Sequence, residues 1–260
     1  MDLDGTVIIG GNTRIIAPQI LRHALVIPSE LILKKDARSM NALASALTVI
    51  FASYRRTKAG EVDQEKSLAL ASLVVREVPN PRRILYLSSD HVFSGERGSY
   101  CASDVPDPVS AYGVMKAGQE YIFRDGVILR FTVLGPSFSM RALMLEKVRN
   151  EHFFITYPYA YFSPVCSWSV NDVLVDHQNG RMAPGIYHLA SERISKAKLV
   201  RILSSRLNAF VETRDELGAL ADHSLISSPN LLRTIDDEIG RAIGVGDRNH
   251  EKKLCRNKSF

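Results

Sequence analysis

Residues 84–95 read ILYLSSDHVFSG. Four apolar residues, Ile84-Leu85-Tyr86-Leu87, run straight into Ser88-Ser89-Asp90, so a buried strand gives way to a polar loop at Ser88. Downstream, residues 111–120 read AYGVMKAGQE within a helical pattern over 109–123, and residues 127–131 (VILRF) form the next apolar run. Strand, loop, helix and strand in that order make a crossover between parallel neighbours. Upstream, Gly5–Ile9 (GTVII), Ser29–Leu33 and Thr48–Ala52 (TVIFA) are further strand candidates, separated by helical patterns over roughly 17–25, 38–46 and 61–78. In 61–78, Leu68, Ala71, Val74, Val75 and Val78 recur at three- and four-residue steps, which places them on one helical face. Continuous apolar strands alternating with helices predict a parallel sheet covered on both faces, that is, a doubly wound, Rossmann-like α/β domain.

At 260 residues the chain can bury a substantial core without staples. Apolar residues make up 45% and charged residues 23%, which argues against disorder. No apolar run reaches the roughly 18 residues a membrane helix needs. Cys101, Cys166 and Cys255 are odd in number and widely spaced, so neither a disulfide framework nor a metal site is indicated and a cytoplasmic location is expected. The net charge of +5 is concentrated in residues 248–260, where Arg248, Lys252, Lys253, Arg256 and Lys258 face only Glu251. The basic balance is therefore a property of the tail, a solvated terminus or a contact for an anionic partner, and not of a nucleic-acid-binding face. The expected organisation is a dinucleotide-binding core over 1–136, a small α/β substrate lobe with returning core elements over 137–247, and the basic tail 248–260. In the lobe, Gly185–Leu189 reads as a strand and Ser195–Leu207 as a helix capped by Ser195. An aromatic cluster, Phe153 to Phe162, lines either the substrate lobe or a partner surface.

Two segments bear on a cofactor. After the first strand, Gly10-Gly11-Asn12-Thr13 supplies a turn at which backbone N–H groups could meet a pyrophosphate, although a plain strand–turn–helix junction would look much the same. The presumed second strand leads into Lys34-Lys35-Asp36, where the carboxylate could accept from a ribose or adenine; the lysines suit a 2′-phosphate or a solvated surface equally. The chemistry centres on Tyr112 and Lys116, four apart and so on one helical face, with Ser89 leaving a strand end 23 residues earlier. A cation beside a phenol lowers its pKa, which would make Tyr112 a general acid/base near neutral pH, with Ser89 orienting a carbonyl oxygen. A hydride would have to come from a nicotinamide, because no side chain supplies one. Trp168 either stacks on a sugar or base or packs in the core.

The segments SSDHVFSG, GSYCASDVPDPVSAYGVMKAGQE and VILRFTVLGP resemble the extended short-chain dehydrogenase/reductases. Within that group the chain is most similar to dTDP-4-dehydrorhamnose reductases and their relatives, which include the non-catalytic β regulatory subunit of methionine adenosyltransferase. Ala52-Ser53-Tyr54, Val62-Asp63-Gln64-Glu65 and Gly185–Leu189 resemble further family segments. The resemblance implies Ser89, Tyr112 and Lys116 as the catalytic triad and Asp90 as a substrate contact. It implies Gly10, Gly11, Asn12, Asp36, Ala52, Ser53, Tyr112 and Lys116 as cofactor-lining residues, NADP or NAD as cofactor, and no metal. The implied activity is reduction of the 4-keto group of a nucleotide-activated deoxysugar for polysaccharide or glycoside biosynthesis. The alternatives are a catalytically impaired, reductase-like regulatory subunit and a nucleotide-sugar epimerase or dehydratase. The expected partner is a nucleotide-sugar substrate, with room for a homodimer and without nucleic acid or membrane. The chain departs from the family at Thr13 and Ile16, where glycines are usual, at Arg55 and Arg56 after the third strand, and at His91 in place of a tyrosine.

Overall fold

The computed structural model describes residues 5–10, 16, 21, 23–135, 153–156, 158–208, 212–215 and 220–244. Six strands form one sheet: β1 (Thr6–Ile9), β2 (Leu25–Ile27), β3 (Thr48–Phe51), β4 (Ile84–Leu87), β5 (Val127–Arg130) and, from late in the chain, β10 (Gly185–His188). Their order is β10-β5-β4-β3-β1-β2 and every pairing is parallel. β2 lies on one side of β1 and β3 on the other, so the strand order reverses beside β1, as in a doubly wound Rossmann-like sheet.

Both faces of the sheet are covered, which is why the strands read as unbroken apolar runs. Ile8, Ile50, Leu85, Leu87 and Leu129 point to one side and pack against Val170, Val173 and Leu174 of helix Ser167–Gln178. Val7, Ile9, Val49, Phe51, Ile84 and Tyr86 point to the other side. There they meet Ile32 of α1 (Ser29–Leu33), Leu43 of α2 (Ala37–Ser45) and Leu70, Ala71 and Val74 of α3 (Gln64–Glu77). Each such aliphatic side chain contributes about 1.5–3 kcal/mol on full burial. Phe123, at the end of α4 (Ala111–Ile122), rests on Phe51 with ring centroids 4.7 Å apart.

The second strand differs from expectation. Ser29–Leu33 is helical, and the strand is the preceding Leu25–Ile27. Pro28 supplies the helix N-cap position, and a short run such as SELIL, apolar only at Leu31, Ile32 and Leu33, satisfies a helix as readily as a strand. Of the helix expected over 17–25, Leu25 belongs to this strand and most of the remainder lies outside the described residues.

After β5 the chain leaves the sheet through β6 (Thr132–Gly135), β7 (Phe153–Thr156), β8 (Ala160–Phe162) and β9 (Pro164–Cys166). It then enters α5 (Ser167–Gln178) and returns to the sheet through β10. β11 (Ile194–Ser195) and β13 (Ala221–Asp222) flank β8, and β12 (Glu212–Asp215) pairs with β7. α6 (Lys196–Arg206) is capped by Ser195, whose hydroxyl accepts from the Lys198 N–H. Leu199, Val200 and Leu203 of α6, Phe162 of β8, and Ile239 and Ala242 of the helical stretch 235–244 form a separate apolar cluster. A further cluster, Val92, Phe93, Tyr100, Ala190 and Leu225, seals the loop after β4 against the late segment 220–228. Among the described residues no helix is long and apolar enough to cross a membrane.

Candidate active site

The loop after β4 is shaped by its own polar groups. Ser89 sits ahead of a short 3-10 turn, Asp90–Val92, and its hydroxyl accepts from the His91 N–H at 3.3 Å. Phe93 anchors the turn by stacking on Tyr100 with centroids 4.1 Å apart and planes 4° from parallel. α4 begins at Ser110, whose hydroxyl accepts from the Gly113 N–H at 3.0 Å. Gly113 then lies against the loop: a Cβ there would stand 2.1 Å from the His91 carbonyl oxygen. A glycine at this position lets α4 approach closely enough to carry Tyr112 and Lys116 over the end of β4.

These elements enclose a cleft of about 240 Å³ at the carboxyl edge of the sheet. Ser89, Asp90 and His91 line it from the loop, Tyr112 and Lys116 from α4, Tyr54 from just past β3 and Thr132 from the start of β6. Ser89 stands on the Tyr112 side of the cleft and is the side chain that most opposes the rise of the phenol's pKa. Lys116 Nζ lies 5.8 Å from the centre of the Tyr112 ring and 4.8 Å from that of Tyr86, and it donates to the Leu87 carbonyl at 2.7 Å. Asp90 is 3% exposed and accepts from the hydroxyls of Ser89, at 2.9 Å, and of Thr132.

The electrostatics correct the expectation that Lys116 holds the phenol down. Burial raises the Tyr112 pKa well above its ordinary value, and Tyr54 and Asp90 add to the effect; only Ser89 and Arg56 oppose it. Burial also lowers Lys116 to about 7, against the pull of Glu120. The cleft therefore keeps the phenol protonated, in the state of an acid ready to donate, and holds the lysine near its balance point at neutral pH.

A buried charge pair supports the helix from below and was not legible as part of the site. Arg130 of β5 donates to both Glu120 oxygens, at 2.9 and 2.7 Å, and the two side chains are 0% and 5% exposed. Ser88 donates to Glu120 Oε1 at 2.5 Å, and Arg130 Nη1 lies 3.3 Å from His188 Nε2. The sequence signals were a charged residue inside the apolar run VILRF and a carboxylate four residues beyond Lys116 on one helix.

The other expected site residues divide. Gly10 has φ +116°, and a Cβ there would stand 2.9 Å from the Ala52 carbonyl oxygen and 2.5 Å from Ser53 Cβ, so the turn after β1 packs directly on the end of β3. Ala52 and Ser53 are buried there. Gly11 and Asn12 lie outside the described residues. Asp36 does not follow a strand: it caps α2, accepting from the Ser39 N–H at 2.9 Å and the Ser39 hydroxyl at 2.7 Å. Trp168 sits on α5, half-buried, packed against both the sheet cluster and the α6 cluster, and is not part of the cleft lining. Tyr54 lines the cleft, its ring edge-on to Tyr112 at 5.4 Å and its hydroxyl accepting from Arg56 at 2.6 Å. Sequence reasoning did not assign it to the site.

The arrangement suits a dinucleotide. The cleft lies at the carboxyl ends of the parallel strands β3, β4 and β5, the Gly10 turn packs on Ala52 at its margin, and Lys116 spends one of its three donors on Leu87 among the described residues. Several solved structures share the fold. A hypothetical dTDP-4-dehydrorhamnose reductase from Sulfolobus tokodaii is 21% identical, with a TM-score of 0.68 over 90% of this chain and 98% of that one. A dTDP-4-dehydrorhamnose reductase from Bacillus anthracis, solved with NADP, is 16% identical, with a TM-score of 0.69 over 94% and 99%. The Bordetella bronchiseptica enzyme WbmG, solved with NAD and UDP, is 12% identical, with a TM-score of 0.71 over 94% of each chain. No curated protein matches the chain significantly. Residues 34–220, which include β3, β4, α4 and most of the cleft, match the family model described as the RmlD substrate binding domain, and the chain belongs to that family.

Proposed function

We propose that the protein reduces the 4-keto group of a nucleotide-activated deoxysugar with NAD(P)H. The observation that carries this reading is the meeting of Ser89, Tyr112 and Lys116 in one cleft at the carboxyl edge of the sheet. A bound dihydronicotinamide supplies the hydride. Tyr112 donates its proton to the substrate's carbonyl oxygen as that oxygen gains charge, and the buried, protonated phenol is suited to the role. Ser89, on the same side of the cleft, holds the oxygen in line. Lys116, with Nζ 5.8 Å from the centre of the Tyr112 ring, offers its remaining donors to the ribose. Asp90, held by Ser89 and Thr132, is available to a sugar hydroxyl. The neighbours' names support the substrate class: two are called dTDP-4-dehydrorhamnose reductases and another was solved with UDP. The same reading places the protein in the cytoplasm, where reduced cofactor and nucleotide sugars are made, and leaves room for a homodimer.

The test is a two-step assay. Nicotinamide fluorescence is followed as NADH or NADPH is titrated into the protein, and a dTDP-4-keto-6-deoxyhexose is then added. Cofactor binding followed by ketone-dependent oxidation, with a 4-hydroxy sugar as product, is the expected result. Cofactor binding without oxidation across a panel of nucleotide-linked 4-keto sugars would favour a reductase-like binding subunit. A product changed in configuration without net cofactor consumption would favour an epimerase.

A further inference from the structure

Hydrogen-bond accounting in the cleft leaves one donor unused. Hydroxyls line it from Ser88, Ser89, Thr132, Tyr54 and Tyr112. The Ser88 proton goes to Glu120 at 2.5 Å, and Ser89 and Thr132 give theirs to the Asp90 carboxylate. The Tyr112 proton is the one that reaches the carbonyl oxygen in the reaction proposed above. Tyr54 remains. Its oxygen accepts twice from Arg56, from Nη2 at 2.6 Å and from Nε at 3.1 Å. A phenol so engaged as an acceptor still has its own proton to donate, and among the described residues that proton meets no acceptor.

Arg56 is fixed in place. Its backbone bridges to Val62 across the turn 57–60, the Thr57 N–H closes that turn on the Glu61 carbonyl at 2.8 Å, and Nη1 donates to the Gly60 carbonyl at 2.6 Å. Gly60, at φ +87°, takes the backbone conformation that favours glycine. The guanidinium charge polarises the phenol, which makes the remaining O–H a stronger donor than that of an isolated tyrosine. The Tyr54 ring stands edge-on to that of Tyr112, centres 5.4 Å apart, so it borders the place where the reacting carbonyl is protonated. Both members of the pair act on that acid: Tyr54 raises the Tyr112 pKa and Arg56 lowers it.

Resting on the reductase reading above, we infer that Tyr54, oriented by Arg56, is a specificity-determining donor that binds the substrate oxygen on the carbon next to the reacting carbonyl. In a 4-keto-6-deoxyhexose that carbon is C3, which bears a hydroxyl; the other neighbour, C5, is bonded to the ring oxygen and the methyl carbon. A sugar with an oxygen at C3 satisfies the Tyr54 proton. One with hydrogen there leaves a polarised O–H unpaired in the cleft, which costs binding. Arg56 touches neither the substrate nor the reacting atoms and is a positioning residue.

The experiment measures, by calorimetry, the binding of a dTDP-linked 6-deoxyhexose and of its 3-deoxy counterpart to protein saturated with NADP+ or NAD+, so that selection is read without turnover. The wild type is expected to prefer the 3-hydroxy sugar by about tenfold or more. Tyr54→Phe should bring the two sugars within about threefold of each other through weaker binding of the 3-hydroxy sugar, with cofactor affinity unchanged. Arg56→Met should lose part of the preference and leave affinity for the 3-deoxy sugar as it was, which a merely structural role would not do. Arg56 is exposed and Tyr54 half-buried, so circular dichroism of both variants should match the wild type. Equal wild-type binding of the two sugars, or an unchanged ratio in Tyr54→Phe, overturns the assignment alone. A Tyr54→Phe loss that falls on the cofactor overturns it too, since the donor then belongs to the nicotinamide. Arg56→Met weakening both sugars alike overturns the role of Arg56. Selective binding of the 3-hydroxy sugar without ketone-dependent oxidation of the reduced cofactor would overturn the proposed reaction and leave the assignment standing. Failure to bind either sugar would overturn both.

Discussion

Replacing Arg130 with methionine removes the cation from a carboxylate that has almost no water around it. Arg130 is fully buried, donates twice to Glu120 and lies with its guanidinium 4.9 Å from the centre of the Phe93 ring. In Arg130→Met the apolar contact with Phe93 is largely kept, while Glu120 is left with the single Ser88 hydroxyl. Breaking one side of a buried pair costs about 3–5 kcal/mol, because the remaining charge stays desolvated. The exposed pair Arg206–Asp236, at 3.0 Å, is the internal control; Arg206→Gln should cost no more than about 1 kcal/mol. Urea unfolding followed by circular dichroism reads both. Adding Glu120→Gln to Arg130→Met should recover most of the loss, since the stranded charge is then gone and a carbonyl still accepts from Ser88. The same change has a functional echo. Glu120 is the carboxylate that pulls the Lys116 pKa upward, so losing Arg130 leaves that pull unbalanced and should move Lys116 above its value of about 7. An Arg130→Met variant no less stable than Arg206→Gln would refute the reasoning that this pair is a desolvated, mutually dependent unit.

Gly113→Ala should cut turnover by tenfold or more while far-ultraviolet circular dichroism stays native, because the added Cβ pushes α4, and Tyr112 with it, away from the His91 carbonyl; unchanged kcat would show that this approach is not needed. Lys116→Met should flatten the pH dependence of stability: the folded pKa is depressed from 10.5 to about 7, so wild-type stability is fullest above pH 10.5 and falls as pH drops towards 7, and urea midpoints over that window should differ between the two proteins. Asp36→Ala should lower the urea midpoint through the lost cap of α2 and leave cofactor affinity within twofold; a selective loss of cofactor binding would return Asp36 to the ribose.

Most of the sheet was legible because it is covered on both sides. β3, β4 and β5 sit in its middle, and TVIF, ILYL and VILR leave little choice but a buried parallel strand. The edge was not. β2 has three residues, of which Leu25 is 53% and Val26 37% exposed, so it lacks the pattern of its neighbours, while SELIL beside it, with Leu31, Ile32 and Leu33 in a row, mimics a strand and folds as a helix. That slip placed the expected ribose carboxylate at Asp36, which instead caps α2. Ser89, Tyr112 and Lys116 were legible because strand end and helix face are local patterns. Glu120 and Arg130 were not, since their pairing depends on how α4 lies across β5. The direction of the Tyr112 shift was not either: residue types suggest a cation beside a phenol, but depth of burial decides which effect wins, and only the packed structure gives the depth.

The most direct measurement is single-turnover oxidation of bound NADH by a dTDP-4-keto-6-deoxyhexose, wild type against Tyr112→Phe, with cofactor affinity measured alongside. Loss of the phenolic proton should slow the chemical step by about 10²–10⁴-fold with the cofactor dissociation constant within twofold. A Tyr112→Phe variant that oxidises the cofactor at near wild-type rate would contradict the claim that this hydroxyl delivers the proton.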